Sequence, residues 1–211
     1  VLRRSAGKVP LQIRHFVLLS LLRCKLHAQV SVFQACWIVC VHDGTGAVTD
    51  PRLDLAIDGP IARLTIRRAD KLNALDAAMA DALLPLCRQV ERSAARVLIL
   101  TGEGERSFSA GGDIEAWSSL SPEAFGWHWL RDGHQAFGAL ARLTIPVVAV
   151  LNGHCLGGGL ELAACADLRI AEDHVRIGLP EPSLGIIPGW SGTQRLSRRI
   201  GAQLVRRMVL F

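Results

Sequence analysis

Cysteines at metal-binding spacing are missing from this 211-residue chain: it has six cysteines, and none stands in a C-x-x-C pair. Cys24-x-x-His27 and Cys36-x-x-x-Cys40-x-His42 match no standard zinc template, so no metal site is expected. Cys87, Cys155 and Cys165 fall in helix- or strand-like patterns and read as small core residues in a reducing, cytoplasmic compartment. Long apolar runs are missing as well. "HFVLLSLL" is broken at once by "RCK", and "VSVFQACWIVCV" falls short of the roughly 20 apolar residues a membrane span needs, so no membrane association is expected. The same segment makes a poor signal peptide, with a broken apolar region and no small-x-small cleavage site. No RNP, helix-turn-helix or zinc-finger pattern occurs. The net charge of +5 is confined to residues 1–47, where six basic residues face Asp43 alone. From Val48 onward eighteen basic and eighteen acidic residues balance, so the body has no general affinity for nucleic acid.

The glycine-rich stretches also lack the nucleotide-binding signatures. "GGGLEL" does not complete G-x-G-x-x-G, and no G-x-x-x-x-G-K-[ST] is present. "GWSG" is half of a nucleophile elbow, but G-x-S-x-G is not met at Ser191. His154 and Cys155 are adjacent, so an extended backbone points them to opposite faces, which is poor geometry for a thiol–imidazole pair. There is no clean internal repeat and no low-complexity tract.

What is present is a globular composition, 50% hydrophobic and 20% charged, on a chain long enough for one sizeable core. Residues 1–47 read as a leader unrelated to the rest, upstream sequence translated from a wrong start, and "VTDPRLDLAIDG" as a natural beginning at Val48. In the body, "RLDLAI" and "IARLTI" alternate around Gly59-Pro60 and predict a hairpin. Asp76 caps a helical run, "DAAMADALLPLCRQVERSAA". "VLILTG" and "VVAVLNG" are short buried strands. A helix is expected over about 122–143, closed by Pro146, and another over "GGGLELAACAD". "LRIA" and "VRIGL" are two further strands, and "TQRLSRRIG" leads into a final helix. Apolar strands alternating with helices imply an α/β fold with a mostly parallel sheet.

In such folds ligands sit where strand ends meet glycine loops and helix N-termini. Two loops have that form, one before Asp113 and one before Glu161. Exposed amides at Gly112 and near Gly158, converging on one oxygen, would make an oxyanion hole suited to a thioester or ester passing through an enolate. Taken singly, each loop reads better as a mere tight turn. Glu161 stands among Leu160, Leu162, Ala163 and Ala164, all core-like. A buried carboxylate without a partner costs several kcal/mol, so it either reaches water or faces a site.

"RRADKLNAL", "LTGEGERSFSAGGDI", "VLNGHCLGGGLELAACADLRIA" and "LPEPSLGIIPGWSGTQRL" occur in this order, and together they resemble the enoyl-CoA hydratase/isomerase (crotonase) superfamily from about Leu53 to Phe211. The resemblance implies a spiral of ββα units that assembles into homotrimers, often paired as hexamers, and binds an acyl-CoA thioester without any cofactor. It implies oxyanion-hole amides at Gly112 and Gly158. Ala110, Gly111, Asp113 and Ile114 would lie along the CoA arm, and the loop of Lys71 and Ala74 would enclose the adenine end. Both glutamates of the family's hydratases have counterparts: Glu161 would deprotonate a water for attack at C3, Glu181 would protonate C2, and the amide of Gly189 would help hold the water. Relatives with other activities often keep one glutamate, so isomerase or hydrolase chemistry is the alternative within the family, and a non-catalytic acyl-CoA-binding fragment the alternative outside it.

Three features depart from the family pattern. Ala69 replaces a usual proline, and Trp190 is bulkier than the common small residue, which is expected to reshape the acyl pocket. "GAQLVRRMVLF" starts an amphipathic helix (Leu204, Val205, Met208 and Phe211 share a stripe), and the family's C-terminal helical region is missing. An exposed apolar face is therefore expected.

Overall fold

The β1 (Leu53–Asp58) and β2 (Ile61–Ile66) strands form the expected antiparallel hairpin, registered so that Leu55 faces Leu64. The structure is a computed structural model that describes residues 49–210; the leader, its cysteines, the start at Val48 and the share of Phe211 in the last helix lie outside the described residues. β2 pairs in parallel with β3 (Val97–Gly102), β3 with β5 (Val147–Leu151), and β5 with β7 (Leu168–Ala171), giving a five-stranded sheet in the order β1-β2-β3-β5-β7. The strands "VLILTG" and "VVAVL" are apolar on both faces, yet burial alternates along each. Leu98, Leu100, Val147, Ala149 and Leu151 point into the core, while their neighbours are half-buried.

The core lies between this face and two helices. In Ala77–Glu91 the Asp76 carboxylate accepts from the Met79 amide, as an N-cap should, and Met79, Leu83 and Leu86 turn inward. They share one apolar cluster with Phe137 and Leu140 of the Gly133–Ala141 helix. The expected single helix over 122–143 is in fact three segments. Pro122–Ala124 leads into a π-helical stretch, Phe125–Asp132, and this into Gly133–Ala141. The helix expected from "GGGLELAACAD" is short, Gly158–Ala163.

Two strands went unread in the sequence. β4 (Ser107–Ser109) and β6 (His154–Leu156) join β8 (Ile177–Gly178) in a second, parallel sheet ordered β4-β6-β8. Each is two or three residues long and sits in what resembles loop sequence, too short to show any periodicity. These short strands explain the architecture. Three times over, a strand of the large sheet is followed by a strand of the small one and then by a helical turn: Ile114–Ser118, Gly158–Ala163 and the 3₁₀ turn Glu181–Leu184. This is the expected α/β spiral of ββα units, repeated in structure although the sequence shows no repeat. Because β4, β6 and β8 are parallel neighbours, the residues just past their ends emerge at one edge. Those residues are Gly112, Gly158 and Glu181.

Candidate active site

The edge opens into a cleft of about 630 Å³. Gly112 and Gly158 stand on its wall with their backbones in close approach. A Cβ placed on Gly158 would lie 3.4 Å from the Gly112 nitrogen, and one on Gly111 would lie 2.9 Å from the Gly158 nitrogen. Gly111, at φ +101, and Gly157, at φ +51, adopt left-handed backbone that side chains strain, and both are needed to bring the two loops together. Neither the Gly112 nor the Gly158 amide donates to an acceptor among the described residues. Two unpaired N–H groups on a cleft wall are unusual, since buried donors nearly always find a partner. They can bind one oxygen and stabilise negative charge on it.

Glu161 is the third feature of the wall. It is 2% exposed, and its Oε1 accepts from the Trp190 amide at 2.8 Å and from the Gly192 amide at 2.6 Å. Burial pushes its pKa up to about 7, against the pull of the amides of Gly192, Trp190 and Gly189, and the charge of nearby Glu181 adds to the rise. The carboxylate in an apolar helix start thus faces the cleft, with Oε1 clamped by the amides of Trp190 and Gly192, neither of which holds Oε2.

Glu181 lines the same cleft, 8% exposed, with Oε2 lacking any hydrogen-bond partner among the described residues. Burial raises its pKa. Its Oε1 is only 3.1 Å from where a Gly157 Cβ would be, so the glycine turn also makes room for this carboxylate. The environments of the pair differ in kind. Burial outweighs the amide donors at Glu161, whereas at Glu181 burial is opposed by its own amide alone and one oxygen has no donor among the described residues.

The cleft brings together most of the residues singled out in the sequence: Ala110, Gly111, Gly112, Ile114, Gly158, Glu161, Glu181 and Gly189 all line it. Three do not. Asp113 is buried, caps the Ile114–Ser118 helix through the Ala116 amide and pairs with Arg68 at 2.7 Å. Burial would raise its pKa, but that amide and Arg68 outweigh it and hold the group below the usual range. Ala74 is buried, its carbonyl accepting from Arg68 at 3.0 Å. Lys71 is partly exposed and donates to Glu115 at 2.8 Å. Its neighbour Leu72 borders a second cavity of about 730 Å³ that shares Ala110 with the cleft.

Trp190 shapes the site differently from what its bulk suggested. Its ring is buried, 4.6 Å from those of Trp129 and Phe137, and its Nε1 donates to the Trp129 carbonyl. Gly133 provides the space, since a Cβ there would fall 2.3 Å from that nitrogen. The indole therefore extends the core and walls the cleft rather than filling it. Two other features of the cleft leave no local signal in the sequence. Gly192 lies against the Glu161 carboxylate, and Ser191 bonds to His134 at 2.9 Å. His134 belongs to a helix 57 residues earlier, so no local spacing could have paired them.

The chain is similar in sequence and in fold to several known proteins. Residues 56–211 match the family model described as enoyl-CoA hydratase/isomerase. The chain is 39% identical over 156 residues to the short-chain-enoyl-CoA hydratase of Clostridium acetobutylicum, covering 72% of this chain and 58% of that protein. It is 40% identical over 154 residues to the crotonyl-CoA hydratase of Syntrophomonas wolfei, covering 71% of this chain and 57% of that one. The crystal structure of an enoyl-CoA hydratase from Bacillus anthracis superposes with a TM-score of 0.71 at 33% identity, covering 75% of this chain and 62% of that chain. The chain thus spans rather more than half the length of these two curated relatives.

Proposed function

This chain belongs to the enoyl-CoA hydratase/isomerase family, and we propose that it adds water across the double bond of a 2-trans-enoyl-CoA, giving the 3-hydroxyacyl-CoA. One observation carries the reading: two buried carboxylates of unlike environment and two unpaired amides open into the same cleft. The names of the relatives, hydratases of short enoyl thioesters, point the same way.

The division of labour follows from the chemistry. Attack of water at C3 pushes charge onto the thioester oxygen, and the amides of Gly112 and Gly158 are the sink for it. The free oxygen of Glu161 takes a proton from the water, while Oε1 stays clamped by the amides of Trp190 and Gly192 so that the base does not swing. Glu181, short of donors, holds the proton that C2 receives. As long as Glu181 is neutral, its repulsion of Glu161 is absent and the base ionises more readily, so the two titrate as a pair. The water forms the new C3–O bond, and every other step is a proton transfer or an oxyanion contact, so the reaction calls for no cofactor. Ala110, shared by the cleft and the second cavity, gives the CoA arm a path from the reacting centre toward the Lys71 loop. Association into trimers or hexamers belongs to the same reading. It would cover apolar groups such as Leu168 and Ile170 on edge strand β7, both about half exposed.

The test is spectrophotometric: crotonyl-CoA should lose its conjugated enoyl-thioester absorbance when the protein is added. Glu161→Gln and Glu181→Gln should each lower turnover by at least ~100-fold. Full activity in both variants would remove the carboxylates from the mechanism. A 3-enoyl-CoA product would instead favour the isomerase, and free CoA the hydrolase.

A further inference from the structure

Ser191 is one of three non-glycine residues with left-handed backbone among the described residues, at φ +71. It occupies the N-cap of the Gly192–Ile200 helix, where a serine ordinarily accepts a hydrogen bond from an amide of the first turn. Its side chain makes no such bond. Instead Oγ meets Nδ1 of His134 at 2.9 Å, and both residues line the cleft together with Gln194. A strained backbone and a forgone cap are costs with no return within the helix itself.

The partner is placed with equal definition. In the π-helical stretch and the turn after it, Phe125, Trp129, Leu130 and His134 recur at four- and five-residue spacing and all face the cleft. Phe125, Trp129 and Leu130 make that wall apolar, so the Ser191–His134 pair is a polar island on it. The island lies beside the base, because residues 190 and 192 on either side of Ser191 donate the two amides that hold Glu161. The pair is ill suited to act as a nucleophile and its base. Among the described residues, no carboxylate or carbonyl orients the second nitrogen of His134, as a base of that kind requires. What the pair retains is unused capacity. Whichever of the two donates to the other, one N–H or O–H and one acceptor site remain free to face the cleft.

We infer that Ser191 and His134 form a specificity subsite for a hydroxyl group on the acyl chain, at a carbon beyond C3. The subsite rests on the reading of the cleft as an acyl-CoA site. The pair is open to solvent in the free cleft, with His134 exposed; a purely hydrocarbon chain laid over it would displace that water without replacing its hydrogen bonds, whereas a chain hydroxyl gives and receives a hydrogen bond there.

Calorimetry with saturated thioesters tests this without requiring turnover. The affinities of butanoyl-CoA and 4-hydroxybutanoyl-CoA, and of pentanoyl-CoA and 5-hydroxypentanoyl-CoA, are compared on the full chain. At least one hydroxylated thioester should bind about 5-fold more tightly than its parent, the scale of one net hydrogen bond. Ser191→Gly, which suits the left-handed backbone and so protects the fold, should bring that ratio to about one, and His134→Ala should do the same. A variant that merely disturbs packing would weaken both members of a pair and leave the ratio in place. Equal affinities in the wild type, or a ratio that survives Ser191→Gly, overturns the subsite while leaving the acyl-CoA reading intact. Failure of all four thioesters to bind overturns both.

Discussion

Replacing Gly192 by alanine puts a methyl group where the carboxylate of Glu161 now rests. The added Cβ would stand 2.6 Å from Glu161 Cγ, 2.8 Å from Oε1 and 3.0 Å from Cδ. Ordinary contacts between such atoms begin at about 3.5 Å, so the side chain must retreat by about 1 Å. Gly192 has no positive φ and starts a helix, so alanine meets no backbone objection, and the whole effect falls on the carboxylate. Retreat also breaks or lengthens the 2.6 Å bond from the Gly192 amide. Misplacing a catalytic group by about 1 Å costs on the order of 100-fold in rate. Gly192→Ala should therefore lower kcat for crotonyl-CoA hydration by roughly that factor with a much smaller change in KM, because the oxyanion amides and cleft walls are untouched. Overpacking should cost about 1–3 kcal/mol of stability, read as a lower melting temperature with the fold retained. A Gly192→Ala protein with kcat within twofold of wild type would show that the position of Glu161 does not limit the reaction, and the assignment of the base would fall.

The raised pKa of Glu161 also predicts a pH dependence of stability. A carboxyl at about 7 when folded and 4.5 when unfolded binds more protons in the folded state, so its contribution is fully present below about 4.5 and is lost as pH rises through 7. Each pH unit crossed in that window costs about 1.4 kcal/mol. Urea denaturation at pH 5 and pH 8 should show a larger loss for wild type than for Glu161→Gln, and equal losses would refute the shift; Glu181 acts in the same direction and is present in both proteins. At the Arg68 cluster, Arg68→Ala would strip buried Asp113 of its 2.7 Å ion pair and free the carbonyl of Ala74. Removing one partner of a largely buried pair costs about 3–5 kcal/mol, reduced here because Arg68 keeps some exposure. Urea denaturation should show a loss of about 2–3 kcal/mol, and a loss below about 0.5 would mean that Asp113 is not held by this arginine.

How much of this was legible beforehand depended on how local each signal is. The hairpin around Gly59-Pro60, the Asp76 cap and the apolar strands rest on neighbours a few residues apart, and they stand as read. β4 and β6 were missed because a three-residue strand has no period to detect. The long helix over 122–143 was expected to be regular because a π-helical stretch keeps roughly the same apolar spacing while shifting which residues face the cleft. Asp113 and Lys71, read as facing CoA, are engaged with Arg68 and Glu115, partners that lie 45 and 44 residues away. Trp190 does line the cleft, and the glycine at position 133 that gives its ring a place in the core lies too far along the chain to be paired with it by any local pattern.

The sequence by itself determined the hairpin and the strands of the large sheet, the glycines that free two amides, and the family these motifs belong to. Each of these depends on chemistry within a few bonds of the residue. Only the tertiary structure decided that Glu161 and Glu181 share one cleft, that Gly192 braces the Glu161 carboxylate, and that His134 meets Ser191. Those pairings arise because three short parallel strands deliver distant loops to one edge, and no local pattern records which residues such an edge will bring together.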